Sequence, residues 1–552
     1  MVYNKHITTM EEHMQIYQQI ISLVTSAIIL MTGINPDSIP DIGQISTPGN
    51  STGSSENGRE KVDPSLITYA SSYNFDKITA DSVKSVKFSA LLEAETIPET
   101  AGITFSTNTA GYTGKGYIDI SDNKAFSLSV ELPASQYYRI TVRHCAGGHK
   151  ENPLLFNGVK VLDIMSENGG WAETTVDGIY LEKGKNTITL GEGWSWFSLD
   201  SIRIENSGAL SDEIYSGIDD TLSNPYANLK TQNIYQYLKA IYGKRTLAGQ
   251  CTDYGNNTET DALYLGLGKY PAIRAFDFIY DSMNFCNGNP QAKDVDLAIQ
   301  WSNDGGLVVY DWHWYAPYGK CGFYKDDTDF RLSRAVTSVD IAELSLDDIR
   351  KLQKSGKISI ETLKIIEDID NISALMKRME DAGVTVLWRP LHEASGGWFW
   401  WGASGADDYK WLWKLMYRRM TDYHELDNLI WVWNAQSADW YPGDEYCDIA
   451  AIDIYNGAHD YSTSSSVLQS MSTWNSGNKK MVAMSECAAM PDPDLIVRDN
   501  AYWLWFAVWN WDYIVKNGTT ELSDEYTSFE MMKKVYNNKV VITRDELPDF
   551  DK

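Results

Sequence analysis

A chain of 552 residues has room for roughly two to four domains, and 47 Lys and Arg against 75 Asp and Glu give it a formal charge of −28. So acidic a surface repels nucleic acid and anionic membranes, and it is compatible with neutral substrates such as polysaccharides. Trp (20) and Tyr (33) are numerous; they serve partly as core and are also the residues that a sugar cleft stacks against.

The chain opens on an apolar run, Ile20–Met31, too short to span a membrane with ease. Its length suits a secretory signal, although Glu11 and Glu12 precede it; a short amphipathic tail is the competing reading. Residues 1–33 are assigned to this segment, which places the mature protein outside the cell with no membrane span. Residues 34–84 form a linker and lead-in. Their first half, with Ser46-Thr-Pro-Gly-Asn-Ser-Thr-Gly-Ser-Ser55, has the composition of a flexible tether.

Over 85–206 short β-prone runs recur between turn signals: Tyr117–Ile120, Phe126–Val130, Tyr138–Val142, Asn186–Leu190 and Leu199–Ile204. The spacing predicts an all-β sandwich. No nucleophile–base pair stands out in it, so it reads as a binding module. Leu92-Glu-Ala-Glu95, Gly111-Tyr112, Gly114-Lys-Gly-Tyr117, Phe156-Asn-Gly158, Leu181-Glu-Lys-Gly-Lys-Asn186 and Phe197-Ser-Leu-Asp-Ser-Ile202 resemble carbohydrate-binding module family 35. The resemblance implies a jelly-roll sandwich with a structural Ca2+, for which Glu93, Glu95 and Asp200 are the ligands by position; oxygen donors suit that hard cation. It also implies a ligand face in the loops, where Asn152, Trp194 and Trp196 are the candidates.

A polar connector, 207–230, leads to a last segment, 231–548, with a β/α pattern. Eight apolar strand candidates follow one another: Arg245–Gln250, Ala272–Phe278, Leu307–His313, Thr385–Glu393, Leu429–Asn434, Ile449–Tyr455, Lys480–Glu486 and Leu504–Asn510. Helical stretches such as Asn371–Ala382 and Asp408–Tyr423 lie between them. This predicts a (β/α)8 TIM barrel. A doubly wound open sheet is the rival, disfavoured because no Gly-rich phosphate loop follows the first strand. The connection 314–370 is long and is expected to shape one wall of a cleft. The six cysteines show no CxxC spacing, which argues against zinc. Cys286 and Cys321 fall in successive loops and are a candidate disulfide.

Active groups of a barrel gather at the C-terminal ends of its strands. There stand His313, His392 and Glu393, Asn434, Tyr455, Glu486 and Asn510. Two carboxyls facing each other across a barrel mouth suit glycosidic cleavage: one protonates the leaving oxygen and one meets the developing cation. A separation of about 5–5.5 Å serves a retaining enzyme and about 6.5–9.5 Å an inverting one. The surroundings favour Glu486 as nucleophile, with Arg389 and Tyr455 nearby, and Glu393 as acid/base beside the aromatic run Trp398–Trp401. Spacing alone does not decide between the two assignments. Asn434 and Trp433 read as structural.

Trp312-His313, Trp388-Arg-Pro-Leu-His-Glu393, Gly396-Gly-Trp-Phe-Trp-Trp-Gly402, Trp431-Val-Trp433, Trp440-Tyr-Pro-Gly-Asp444, Asp453-Ile-Tyr455 and Ser485-Glu486 closely resemble glycoside hydrolase family 26, whose main members are endo-β-1,4-mannanases. The resemblance implies a retaining mechanism with Glu393 as acid/base and Glu486 as nucleophile. It implies that His313, Tyr455 and Trp509 line the subsite of the cleaved sugar, that Trp398 lies on the leaving-group side, and that His392 precedes the acid; Arg389 and His392 join these as candidate substrate-binding residues, and no cofactor is expected in catalysis. Ala394-Ser395, Cys487-Ala488 and Asn434-Ala435 depart from the family's commoner residues. The expected protein is a monomeric, secreted endo-β-1,4-mannanase acting on plant cell-wall mannan, glucomannan or galactomannan. The alternatives are the same machinery on mixed-linkage β-glucan or β-1,3-xylan, an exo-acting mannobiohydrolase, and a non-catalytic carbohydrate-binding protein.

Overall fold

The computed structural model describes residues 59–550, apart from 82, 98–101, 122–124, 149, 167–168, 192, 195, 475–478 and 517–518. The expected secretory segment and the Ser-rich half of the tether lie outside the described residues.

Two antiparallel sheets form the first part. One orders β2 (Ile103–Ser106), β3 (Tyr117–Ile120), β10 (Phe197–Asn206), β5 (Gln136–Ala146) and β8 (Ala172–Leu181), with β1 (Ser89–Glu93) paired to β10. The other orders β4 (Phe126–Leu132), β9 (Gly184–Leu190), β6 (Lys150–Phe156) and β7 (Val159–Ser166). Alternating residues such as Ile140, Val142, Leu154, Ile188, Leu199, Ile202 and Ile204 fill the space between the sheets, as period-2 patterning requires.

The second part is a closed barrel of eight parallel strands. These are β11 (Thr246–Cys251), β12 (Ile273–Asp277), β13 (Leu307–Asp311), β14 (Val386–Arg389), β15 (Leu429–Trp433), β16 (Ile449–Ile454), β17 (Met481–Cys487) and β18 (Trp505–Val508), and β18 pairs back to β11. Each runs buried along nearly its whole length, which is why most read as largely apolar runs rather than alternating ones. A short β19 (Val541–Ile542) adds to the outside of β11. Helices α1 (Leu229–Ile241), α2 (Thr258–Leu267), α3 (Lys293–Asn303), α4 (Leu346–Lys354), α5 (Ile360–Asp381), α6 (Ala406–Arg418), α7 (Ser465–Trp474), α8 (Pro493–Asp499) and α9 (Phe529–Tyr536) surround it.

The lead-in is not a free tether over its described part. Arg59 pairs with Asp427 and donates to the Thr421 carbonyl. Further on, Thr68 and Ala70 donate to Asn233 and Gln236 on α1, and Tyr73 and Phe75 pack edge-on against Tyr237. These contacts lay residues 59–79 along the barrel as a strap. The sandwich is seated on the barrel as well: Ser466 at the start of α7 donates to the Val161 carbonyl, Tyr137 donates to the Arg498 carbonyl, and Arg498 stacks 4.1 Å from the Tyr180 ring centre. The six cysteines are free, so the disulfide expected between Cys286 and Cys321 is absent; the Cys286 thiol instead turns toward the carbonyls of Asp281 and Met283.

Candidate active site

Strand β14 ends at Arg389 because Pro390 has no N–H to continue the ladder. The chain then turns sharply: Leu391 has φ +56° and Glu393 φ +51°, left-handed values that side chains with a Cβ rarely adopt. The aromatic run that follows wraps back over the turn. Trp401 donates its indole N–H to the His392 carbonyl at 2.9 Å, and Trp400 donates to the Trp314 carbonyl at 2.6 Å. Two glycines permit this close wrapping. A Cβ on Gly402 would lie 2.0 Å from the Ala394 carbonyl oxygen, and one on Gly396 would lie 1.8 Å from the Trp398 ring. The loop after β13 forms a wall against the same run: Lys325 N–H donates to the Trp398 carbonyl at 2.7 Å, and Tyr324 stacks on Phe399.

Arg389 is the electrostatic centre of the barrel mouth. Wholly buried, it donates to Glu486 Oε1 at 2.5 Å and to Asp311 Oδ2 at 2.6 Å, and it lies 3.3 Å from Asp453 Oδ2. The Tyr455 hydroxyl donates to the other Glu486 oxygen, Oε2. Glu393, Asp453 and Glu486 each bring a carboxylate oxygen within 4.8 Å of the others. Burial pushes the Glu393 carboxyl well above the usual range, and the charges of Asp453 and Glu486 push it the same way. Asp453, also buried and beside Glu486, is pushed up to about 7.

The two histidines are neighbours in opposite states. Burial lowers the His313 pKa, but Asp277, whose Oδ2 lies 2.6 Å from His313 Nδ1, outweighs it and lifts the pKa to about 9. His392 is driven well below its ordinary value by burial and by the charges of His313 and Arg389. Protonated His313 therefore donates from Nε2 to neutral His392 Nε2 at 3.2 Å. Trp509 stands edge-on to His313, with ring centres 6.1 Å apart, and Trp398 is half-buried on the outer side of the aromatic turn.

The barrel mouth thus brings together Glu393, Glu486, His313, Arg389, His392, Tyr455 and Trp509, with Trp398 at its edge. Sequence reasoning missed Asp277 and Asp311, which close β12 and β13 and hold His313 and Arg389; their position at strand ends was the available signal. Asp453 was quoted in a motif but given no role.

In the sandwich, Glu93, Glu95 and Asp200 gather around the turn at Tyr112–Lys115. The Thr113 hydroxyl donates to Glu93 at 2.8 Å, and the Lys115 N–H donates to Glu95 at 2.7 Å. Asp200 accepts from the Thr113 N–H and is paired with Arg143 at 2.8 Å. One oxygen of Glu95 is buried without a hydrogen-bond partner among the described residues. Separately, Trp194 and Trp196 stand out from the surface at 56% and 68% exposure. The Trp194 N–H donates to the Glu151 carbonyl, which brings its loop beside buried Asn152.

A closed β/α barrel with facing carboxyls at the strand ends, set in an aromatic cleft and joined to a β-sandwich, defines a glycoside hydrolase with an appended module. Residues 223–546 match the model of glycosyl hydrolase family 26, and the chain belongs to that family. Residues 90–207 match the carbohydrate binding module (family 35). The chain is 36% identical over 461 residues to a mannan endo-1,4-beta-mannosidase of Thermothelomyces thermophilus, covering 81% of this chain and 88% of that one. It is 35% identical to mannan endo-1,4-beta-mannosidase B of Piromyces sp., covering 82% and 76% of the two chains. The crystal structure of a Podospora anserina GH26-CBM35 β-(1,4)-mannanase aligns with a TM-score of 0.56 at 32% identity, covering 84% of this chain and 99% of that one.

Proposed function

We propose that the protein is an endo-β-1,4-mannanase that hydrolyses β-mannan with retention of configuration. The observation that carries the mechanism is that one carboxylate oxygen of Glu393 lies within 4.8 Å of one of Glu486, an approach that suits the roughly 5–5.5 Å carboxyl separation of a retaining enzyme. An inverting enzyme needs its carboxyls about 6.5–9.5 Å apart to lodge a water between them. The relatives named above, which span both the sandwich and the barrel, support mannan as the polymer.

In this reading Glu393, kept protonated by burial and by its anionic neighbours, gives its proton to the glycosidic oxygen as the bond breaks. Glu486, held through both oxygens by Arg389 and Tyr455, attacks the anomeric carbon and forms a glycosyl–enzyme ester. Glu393, now ionised, takes a proton from water, which cleaves the ester and regenerates both groups. His313, His392, Tyr455 and Trp509 line the subsite of the cleaved sugar, and Trp398 offers a face to the leaving chain. No metal or cofactor enters these steps.

The remaining assignments support the same reading. The sandwich, taken as 85–206 and joined by 207–230 to a catalytic segment at 231–548, binds plant cell-wall mannan through Asn152, Trp194 and Trp196 and raises the enzyme's effective concentration there. Glu93, Glu95 and Asp200 hold a structural Ca2+; the unpaired, buried oxygen of Glu95 supports this. Residues 1–33 direct secretion, 34–84 lead into the sandwich, and the enzyme works as a monomer.

The test is product release from glucomannan, galactomannan, barley β-glucan and β-1,3-xylan, with Glu393→Ala and Glu486→Ala as controls. Manno-oligosaccharides of mixed length, lost in both variants, are the expected result. Cleavage of β-glucan or xylan alone refutes the substrate, mannobiose as sole product refutes endo action, and a fully active Glu486→Ala enzyme refutes the mechanism.

A further inference from the structure

Glu393 occupies a backbone conformation that its Cβ disfavours, and so does Leu391 two residues earlier. Such a turn persists only where its surroundings hold it. Two hydrogen bonds from the neighbouring strand do so. Glu393 N–H donates to the Asn434 carbonyl at 2.7 Å, and Ser395 N–H donates to the Ala435 carbonyl at 3.0 Å. The position of the turn therefore depends on where the peptides just past β15 sit.

Those peptides are themselves tied down by one side chain. Asn434 is wholly buried, and its Nδ2 donates to Asp453 Oδ1 at 2.8 Å and to Ser485 Oγ at 2.6 Å. The Ser485 hydroxyl in turn donates a hydrogen bond to Asp453 Oδ1 at 2.7 Å, and Ser485 directly precedes Glu486. Gln436, left-handed at φ +70°, adds a contact from its Nε2 to Asp453 Oδ2 at 3.3 Å. We propose that Asn434 is a positioning residue for the acid/base, its amide locking the strand end that holds the Glu393 turn to the strand ends that carry Asp453 and Glu486.

The proposal rests on the reading of Glu393 as acid/base and explains a feature that packing does not. Asn434 Oδ1 is buried without a hydrogen-bond partner among the described residues, which is unfavourable for stability. Flipping the amide would turn that oxygen onto the Asp453 carboxylate.

A second consequence is electrostatic. Asp453 faces Glu393, Glu486, the Arg389 guanidinium, the Tyr455 hydroxyl and the Cys487 thiol. Its neutral donors are Asn434, Ser485 and Gln436. Loss of the Asn434 donor favours protonated Asp453, and neutral Asp453 no longer opposes ionisation of Glu393. The alkaline limb of the pH–rate profile, which reports the acid's last proton, then moves to lower pH.

The experiment compares the wild type, Asn434→Ala and Glu393→Ala on manno-oligosaccharides and on a 2,4-dinitrophenyl β-mannobioside, whose leaving group departs without a proton. Asn434→Ala is expected to lower kcat on oligosaccharides about 10–100-fold, part of the 10²–10⁴ that general acid catalysis supplies, with KM within about threefold. The loss in kcat/KM on the activated substrate, which reports formation of the glycosyl–enzyme ester alone, is expected to be several-fold smaller than the loss in kcat/KM on oligosaccharides, and the alkaline limb to shift down. Ser485→Ala cuts the other end of the tie and carries the same expectation if Asn434→Ala fails to fold. Unchanged kcat, or an equal loss in kcat/KM on both substrates with an unmoved alkaline limb, overturns the proposal. A Glu393→Ala enzyme fully active on oligosaccharides refutes the acid/base reading and the proposal with it, and so separates the two failures.

Discussion

Replacing Arg389 by Leu removes one cation from among three carboxylates. Asp311, Asp453 and Glu486 lie on three other strands, and Arg389 reaches all of them while wholly buried. Breaking a buried ion pair on one side costs about 3–5 kcal/mol when the other side stays charged. For a barrel of this size that corresponds to a fall in Tm of about 5–8 °C. The fall depends on pH with a definite sign. Burial raises the Asp311 carboxyl well above its ordinary value and Asp453 to about 7, and the Arg389 charge opposes both shifts. A carboxyl raised in the folded state adds stability that is full below the unfolded value of about 4 and is lost as pH climbs through the folded value. Without Arg389 the folded values rise further, so more stability is lost across the same climb. Calorimetry of Arg389→Leu and wild type at about pH 5 and pH 8 is expected to show the larger Tm gap at the higher pH. An equal gap at both, or none, refutes the assignment of Arg389 as the counter-charge of the site.

Asp277→Asn removes the partner that lifts His313 to about 9. A histidine raised in the folded state contributes stability that is full below its ordinary value and is lost as pH rises through the folded one, so the substitution is expected to cost about 2–3 kcal/mol near pH 6 and little above about pH 9.5, read by denaturant unfolding at both. Trp194→Ala with Trp196→Ala is expected to weaken binding to insoluble mannan at least about tenfold while kcat/KM on soluble oligosaccharides stays unchanged; equal losses in both assays refute the binding face. Saturating Ca2+ is expected to raise the Tm of the wild type by the linkage of a bound ion, about 2.7 kcal/mol at a hundred times Kd, and to leave Glu95→Gln unmoved; a wild type indifferent to Ca2+ and EDTA removes the metal assignment.

The barrel was legible because burial on both faces writes most of its strands as largely apolar runs, and all eight candidates lie within a few residues of a strand. Their ends were less legible. Thr385–Glu393 reads as one strand, yet pairing stops at Arg389, since Pro390 and two left-handed residues turn the chain. In the sandwich, β1, β2, β6, β7 and β8 were not among the runs read from the sequence, and Pro153 and Gly178 interrupt β6 and β8. Residues 59–79 read only as lead-in, and Tyr73 and Phe75 anchor them against Tyr237. At the site, the carboxyls and aromatics announced themselves by type and position. Asp277 and Asp311 did not, because an Asp at a strand end is common and only the fold shows which cation it meets. Asn434 looked structural for the same reason: its partners lie 19 and 51 residues away in sequence.

The crowding of acids at the barrel mouth is what separates two chemically identical carboxyls. Asp277, Asp311, Glu393, Asp453 and Glu486 share a low-dielectric pocket with the charges of Arg389 and protonated His313. Five anions against two cations cannot all persist there, so protons are retained, and the group that retains one titrates with its neighbours rather than alone. Which group that is follows from the placement of donors. Arg389 and Tyr455 converge on Glu486 and fix both of its oxygens. Glu393 stands on the far side of a strained turn, where burial and the charges of Asp453 and Glu486 all favour its protonated form. Moving Glu393 away from those charges would leave burial alone to hold its proton, and moving it toward Arg389 would give it the same partner as Glu486. The left-handed turn, held by carbonyls from β15, keeps it between those two outcomes, and that is why backbone geometry at Glu393 matters to the chemistry as much as the carboxyl itself.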